Sequence, residues 1–306
     1  MATSDKRGVV GGKLGFEIDG VDAGWIMSVE GGIAASEVVT EKIAGDSLAK
    51  KHIANVKYDD IKVACGAGMS KVFWEWIESS LNLKYTRKNG AVIGCDFNYK
   101  EVSRMNFHNA LITEVGFPAL DAASKDAAKL TLAFAPEYTR YVAKPGGAPK
   151  AAIKRAQHNW SPANFKVSAS GLDTALSRCN KIEALSIKQK VTENAVGELR
   201  DYEKEPASME IPNLVVTVAE SHADEFYNWH EDFVIKGNCH EGNEKTFAIQ
   251  YLDHARKTVL MELELQRCGI FKLTPDKLEA GAEAIRRVKC EMYCEEIRIK
   301  GNKFWA

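Results

Sequence analysis

The residues that could do chemistry in this chain are few and widely spaced. In "NWHEDFVIKGNCHEG", residues 228–242, His230, Cys239 and His240 offer imidazole and thiolate, the donors that suit zinc. A structural zinc site needs four ligands at short regular spacings, and an adjacent Cys-His pair with one distant His falls short. Cys290 and Cys294 stand four apart in a strand-like segment, which places both on one face as packing residues. "KVACGAGMSK", residues 62–71, joins a strand to a helix start through Gly66 and Gly68, the opening of a phosphate cradle. It lacks the third glycine of a dinucleotide fingerprint and the Gly-Lys-Ser/Thr of a P-loop, so a tight turn suffices. No G-x-S-x-G elbow and no marked pair of buried carboxylates is present. The expectation is no catalytic residue, no cofactor-binding residue and no metal ligand: the protein is not an enzyme.

The elements around these residues are more informative. "VFWEWIES", residues 72–79, as a helix places Phe73, Trp76 and Ile77 on one face and turns Glu75 and Glu78 to water. "DEFYNWHED", residues 224–232, repeats the spacing with Phe226 and Trp229, 153 positions later. Upstream, Ile61, Val63 and Cys65 alternate as Leu214, Val216 and Val218 do, which marks a strand with one buried face before each helix. "LGFEIDGVDAGWIMSVEGG" resembles "NFKVSASGLDTALSRCNKIEA", each read as a strand, a turn and a second strand forming a hairpin. "EVSRMNFHNALITEVGF" parallels "RKTVLMELELQRCGIFKL", and both halves end on alternating segments, "KLTLAFAPEYTRYV" and "VKCEMYCEEIRI". Trp74 aligns with Tyr227 and Ile77 with His230, so the outer faces of the two helices are expected to meet different neighbours.

Composition sets the class. The 306 residues are 45% hydrophobic and 27% charged with a net charge of −1, an ordinary globular balance with length for two domains. Neither half is polarised, so no strong field for nucleic acid or an acidic membrane is implied. No apolar run is long enough to span a membrane, and "MATSDKRGVVGGKLG" has no signal-peptide core, which leads us to expect folding in a cytoplasm. Seven scattered cysteines are expected as reduced core thiols. "AKPGGAPKAAIKR", residues 143–155, is rich in proline and glycine and reads as a linker. The expected organisation is residues 1–143 as a first domain, 144–160 as linker and 161–306 as a second. The expected fold class is mainly β with one helix per unit (α+β), as two tandem β-sandwich or partial-barrel domains.

The element order adds a resemblance. "FEIDG" with its hairpin, a long polar connection, a strand ending in glycine, the F-x-x-W helix and "MNFHNALITEVGFPALDAAS" before a final alternating strand resemble the tail tube proteins of contractile bacteriophages and of phage-like contractile injection systems. The resemblance covers residues 14–142 and, more weakly, 163–299. It implies a structural subunit whose units close into six-fold rings that stack into a hollow conduit inside a sheath. The implied partners are the chain itself (a trimer forming a pseudo-hexamer, or a hexamer), stacked rings, sheath and baseplate proteins, and DNA or protein cargo in the lumen, with no membrane. It further implies synthesis in a bacterial cytoplasm before assembly into a tail or particle. In the family the long connection reaches adjacent subunits; here it is residues 31–56, and residues 188–209 in the second half, expected as polar segments that order on assembly. The rival readings are a tube-end ring, such as a baseplate initiator or adaptor, and a monomeric ligand-binding β-barrel.

Overall fold

In the computed structural model the described residues are 12–42, 48–143, 160–198, 200–277 and 285–304. The expected linker lies outside them except for Trp160. The first half runs β1 (Lys13–Ile18), β2 (Val21–Gly31), β3 (Ala34–Glu41), β4 (Lys50–Tyr58), β5 (Ile61–Cys65), α1 (Lys71–Leu81), β6 (Lys88–Cys95), β7 (Glu101–Phe117), β8 (Leu120–Asp121), β9 (Leu130–Ala135) and β10 (Tyr138–Ala143). The second runs β11 (Phe165–Ala169), α2 (Asp173–Leu176), β12 (Cys179–Ile182), β13 (Leu185–Asn194), β14 (Glu203–Glu210), β15 (Leu214–Ala219), α3 (Asp224–His230), β16 (Lys245–Leu252), β17 (Val259–Pro275), β18 (Arg287–Tyr293) and β19 (Glu296–Lys300). The mainly β character and the two related units match the sequence reading.

In the first half β6, β1, β2, β5 and β9 follow one another in the sheet, and β7 pairs with both β6 and β9, closing a barrel. The β1–β2 turn is Asp19-Gly20, both at positive φ (48° and 76°), the conformation a two-residue hairpin turn demands. The alternating strands aim Phe16, Phe107 and Phe134 into the barrel, where their rings pack 4.8 to 5.8 Å apart. Helix α1 lies over the mouth and lowers Phe73 onto Phe16 and Trp76 onto Phe134. The Trp76 indole N–H donates to the Thr86 carbonyl at 3.0 Å, so the buried ring has no unsatisfied donor.

The second half repeats this plan with one strand pair missing. Phe226 and Trp229 of α3 plug the sheet, and Trp229 donates to the Asn243 carbonyl at 3.2 Å as Trp76 does to Thr86. The expected hairpin over residues 164–184 is corrected: β11 pairs with β16, β12 with β15 and β8, and α2 stands between β11 and β12. Ala175 and Leu176 of α2 are buried and fill the gap that β1 and β2 close in the first half. The Glu225 carboxylate on α3 accepts the Ala175 and Thr174 amides at 3.0 and 3.3 Å, which ties α2 to α3 and lowers the Glu225 pKa. The second barrel is thus open and caulked by a helix.

Two further expectations change. Each closing segment is two strands, β9 with β10 and β18 with β19, because Pro136 and the Cys294-Glu295 corner break the ladder. The polar connections are regular hairpins, β3 with β4 and β13 with β14.

The outer face of α1 is where the halves meet. Trp74 is 1% exposed and stacks on Phe304 at 5.6 Å, and Phe304 also packs on Trp160 at 5.9 Å. Its counterpart Tyr227 on α3 is 38% exposed. The expected divergence of the two helix faces is therefore real, and the neighbour of the first is the chain's own second half. Replacing Phe304 by Ala should remove the cover from Trp74 and cost about 3 kcal/mol. Thermal melting together with tryptophan emission measures both, and an unchanged melting temperature with no red shift would contradict this packing.

Candidate assembly interface

The strand β7 is 17 residues long, longer than its own barrel uses. At Asn109 the backbone turns left-handed (φ 50°), held by the Asn89 side chain on its amide at 2.9 Å and by its own Nδ2 donating to Glu137 at 2.6 Å. On one edge β7 pairs first with β6 and then, over Glu114 to Phe117, with β13 of the second half. On the other it pairs with β10 and then β9. The bulge lets one strand change partners on both sides. The second half copies the device: Arg267 (φ 52°) stands 158 positions after Asn109 and binds Glu295, 158 after Glu137, at 3.2 Å.

The joint between the halves is built on that edge. Leu185, Ser186, Ile187 and Lys188 pair with Phe117, Gly116, Val115 and Glu114, and Leu185 and Ile187 are buried. The Ser186 hydroxyl donates to Glu114. Arg87 clamps the second strand of the hairpin, donating to the Lys204 carbonyl at 2.8 Å and pairing with Glu205 at 2.7 Å. Glu137 accepts the Lys204 amide at 3.3 Å. At the hairpin tip, Tyr58 donates to Asp201 at 3.1 Å, Asn55 to the Tyr202 hydroxyl at 2.8 Å, and Arg140 to the Tyr58 hydroxyl at 2.7 Å. Donating that bond to Tyr58 raises the Arg140 pKa, and burial raises that of Tyr58. In return β8 pairs with β12, and the Ala122 amide donates to the Asn180 carbonyl at 2.9 Å. The halves exchange strands through two ladders: β13 and β14 join the sheet of the first half, and β8 joins the sheet of the second, with the Trp74–Phe304 contact alongside.

The residues singled out for chemistry do not converge. Among the described residues no group of three or more His, Cys, Asp or Glu is placed to hold a metal. Cys239 is exposed, and His240 lies beside the Asn243 amide at 3.2 Å. Cys290 is buried within β18, whereas Cys294 sits in the turn after it and lies 3.1 Å, sulfur to sulfur, from Cys268 across the ladder. That corrects the expected pairing of Cys290 and Cys294 on one strand face. No helix among the described residues is long and apolar enough to cross a membrane. The functional residues that sequence reasoning passed over, Arg87, Glu114, Glu137 and Lys204, are ordinary charged residues whose only signal is position in the repeat.

Comparison with family models matches the T4-like virus tail tube protein gp19 over residues 14–140 and again over 161–298. The chain belongs to this tail tube family. Comparison with curated protein sequences finds no match. Among solved structures, the chain is similar to a component of an extracellular contractile injection system, the PVC sheath-tube complex in its extended state, at 17% identity and a TM-score of 0.40, with 46% of this chain covering 99% of that one. A component of the anti-feeding prophage baseplate is similar at 16% identity and 0.36, over 50% of this chain and 99% of that one. Hcp1 from Flavobacterium johnsoniae is similar at 11% identity and 0.27, over 45% and 95%. The family match falls twice on this chain, once on each tube unit.

Burial pushes the thiols of Cys65, Cys179 and Cys290 up to about 12, so near neutral pH they carry almost no thiolate. Cys239 is exposed and should react first with a thiol reagent at pH 8. Thiol titration of the folded protein should show a fast phase that Cys239→Ser removes; survival of that phase would contradict the burial described.

Proposed function

We propose that the protein is a structural subunit of the inner tube of a contractile phage tail or phage-like injection system, and that three copies supply six tube units to each ring. The observation that carries this reading is the joint inside the chain: one tube unit already grips another through a shared ladder from β7 to β13. Two linked units per chain make three chains the smallest set giving six. Cyclic closure then satisfies every sheet edge in the plane, and stacking extends the assembly in one direction. Sheath would lie outside, a baseplate at one end, and DNA or protein would pass within. The work is assembly and passage, without chemical turnover, in a particle assembled after synthesis in a bacterial cytoplasm.

The rival ligand-binding barrel has little support from the interior, since Phe16, Phe107, Phe134 and Trp76 fill the first barrel. Light scattering and negative-stain microscopy of the purified protein test the proposal. Expected are rings with a central hole and a mass of three chains of 33.8 kDa, or stacks of such rings. A monomer that persists at high concentration would overturn it, and rings of six chains would overturn the count.

A further inference from the structure

Three parts of the joint inside the chain, the hairpin, the receiving edge and the helix face, have counterparts that carry no strand or aromatic cover among the described residues. The hairpins β3–β4 and β13–β14 share one register: Ala35 opposite Lys57 becomes Lys188 opposite Glu210, and Val38 opposite Ile53 becomes Val191 opposite Pro206, all at an offset of 153 and with the bulge at the same step. Yet β13 lies on β7, whereas β3 pairs only with β4. Ile33, Val38 and Ile53 are all more than 60% exposed. The receiving edge is open as well. Strand β17 carries β16 on one edge only as far as Cys268, and β19 then β18 on the other. Beyond Cys268 no described strand lies on the β16 side, where β7 receives β13, and Phe271, Lys272, Thr274 and Pro275 are exposed.

The helix contact repeats the pattern. Trp74 and Leu81 on α1 are covered, but their counterparts on α3, Tyr227 and Val234, are exposed, as are Tyr141 and Val142 at the end of β10. By the same offsets, β10 stands where β19 stands against α1.

The charges select which hairpin goes where. On β14 Glu203, Glu205 and Glu210 occupy the positions that Lys50, His52 and Lys57 occupy on β4. At the receiving site Arg87, which binds Glu205, is replaced by Glu244, since Lys88 and Lys245 hold matching places at the start of β6 and β16. At this one position the two sites carry opposite charges, Arg87 against Glu205 in the first and Glu244 where His52 would lie in the second. Glu244 accepts from Tyr293 at 2.7 Å through one oxygen, while the other is buried without a hydrogen-bond partner among the described residues.

We infer that the β3–β4 hairpin docks on the β17 edge of a second copy of this chain, with Gly32, Ile33, Ala34 and Ala35 opposite Pro275, Thr274, Leu273 and Lys272 of that copy and His52 beside its Glu244. This inference rests on the ring reading above and assigns the surfaces that close it. Each unit then gives its hairpin to the unit before it, alternately within a chain and between chains. The reversed charge at this position favours the acidic hairpin on β7 and the basic one on β17.

Cysteine cross-linking tests the register in a Cys239→Ser background. Ala35→Cys with Lys272→Cys should give, on mild oxidation, covalent oligomers ending at three chains. Mixing the two single variants should give dimers, and either alone none. Glu114→Cys with Lys188→Cys, the equivalent pair within the chain, should link without change of mass class and serves as control. Rings without the inter-chain link would overturn this inference and leave the conduit reading intact. Failure to assemble under any condition would overturn both, and links from a single variant alone would show symmetric pairing instead. Charge exchange is the second test: Glu244→Arg should weaken ring assembly at least about tenfold, and His52→Glu added to it should restore assembly by recreating the Arg87–Glu205 pair. Undiminished assembly of Glu244→Arg, or no rescue in a double variant whose melting curve shows it folded, would overturn the placement of His52.

Discussion

The structure depends on a strand that outruns its barrel. Once β7 has paired with β6 on one side and β10 on the other, its last residues still carry backbone donors and acceptors, and at Glu114–Phe117 these are met by β13 from the other half. An unpaired edge in a folded protein either stays short, is guarded by charge, or is covered. This chain covers one of its two long edges with its own hairpin. The left-handed bulge at Asn109 makes the cover possible, because it turns the strand enough to leave β6 and meet β13 while the barrel still closes through β9. The same bulge at Arg267 shows that the geometry belongs to the unit and not to either sequence.

Duplication separates what the backbone fixes from what side chains are free to change. Along the two hairpins the ladder, the bulge and the offset are the same, while the charges on the outer strand differ in sign from Lys50, His52 and Lys57 to Glu203, Glu205 and Glu210. Hydrogen-bond register is demanding because a slip of one residue would turn every side chain to the opposite face. Surface charge is not so constrained, and can record which neighbour a hairpin meets. The barrel wall shows the other kind of change: the β1–β2 pairing gives way to α2, whose Ala175 and Leu176 keep the core dry without the strand pair.

The legible part of this architecture was the part with one buried face. Alternation in Ile61–Cys65 and Leu214–Ala219 and the i, i+3 aromatics of α1 and α3 follow directly from burial on a single side, and the Asp19-Gly20 turn follows from the φ values it needs. The β3–β4 hairpin escaped because strands exposed on both faces show no alternation, and in β13–β14 the buried positions past Ile187 are polar, Gln189 and Lys204, so both stretches read only as polar connections. The second half of the β11–β12 region escaped for a different reason: "SGLDTALS" carries a hairpin-like glycine, and only the burial of Ala175 and Leu176 under α3 selects a helix. The joint itself, from Arg87 to Glu205 and from Asn109 to Glu137, consists of common charged and amide residues brought together from distant positions, which no local spacing can announce.

The filled interior decides where a passage can be. A small barrel has room for its own side chains and little else, and here Phe16, Phe107 and Phe134 stack in the middle while Phe73 and Trp76 close the mouth. Opening a channel through such a unit would mean deleting several buried rings at about 3 to 5 kcal/mol each, more than a domain of ordinary stability has to lose. Any channel therefore has to lie among units, bounded by outer sheet faces. The barrel is consequently the wall material, and the joint that lets one unit hold the next is the element from which any passage must be made.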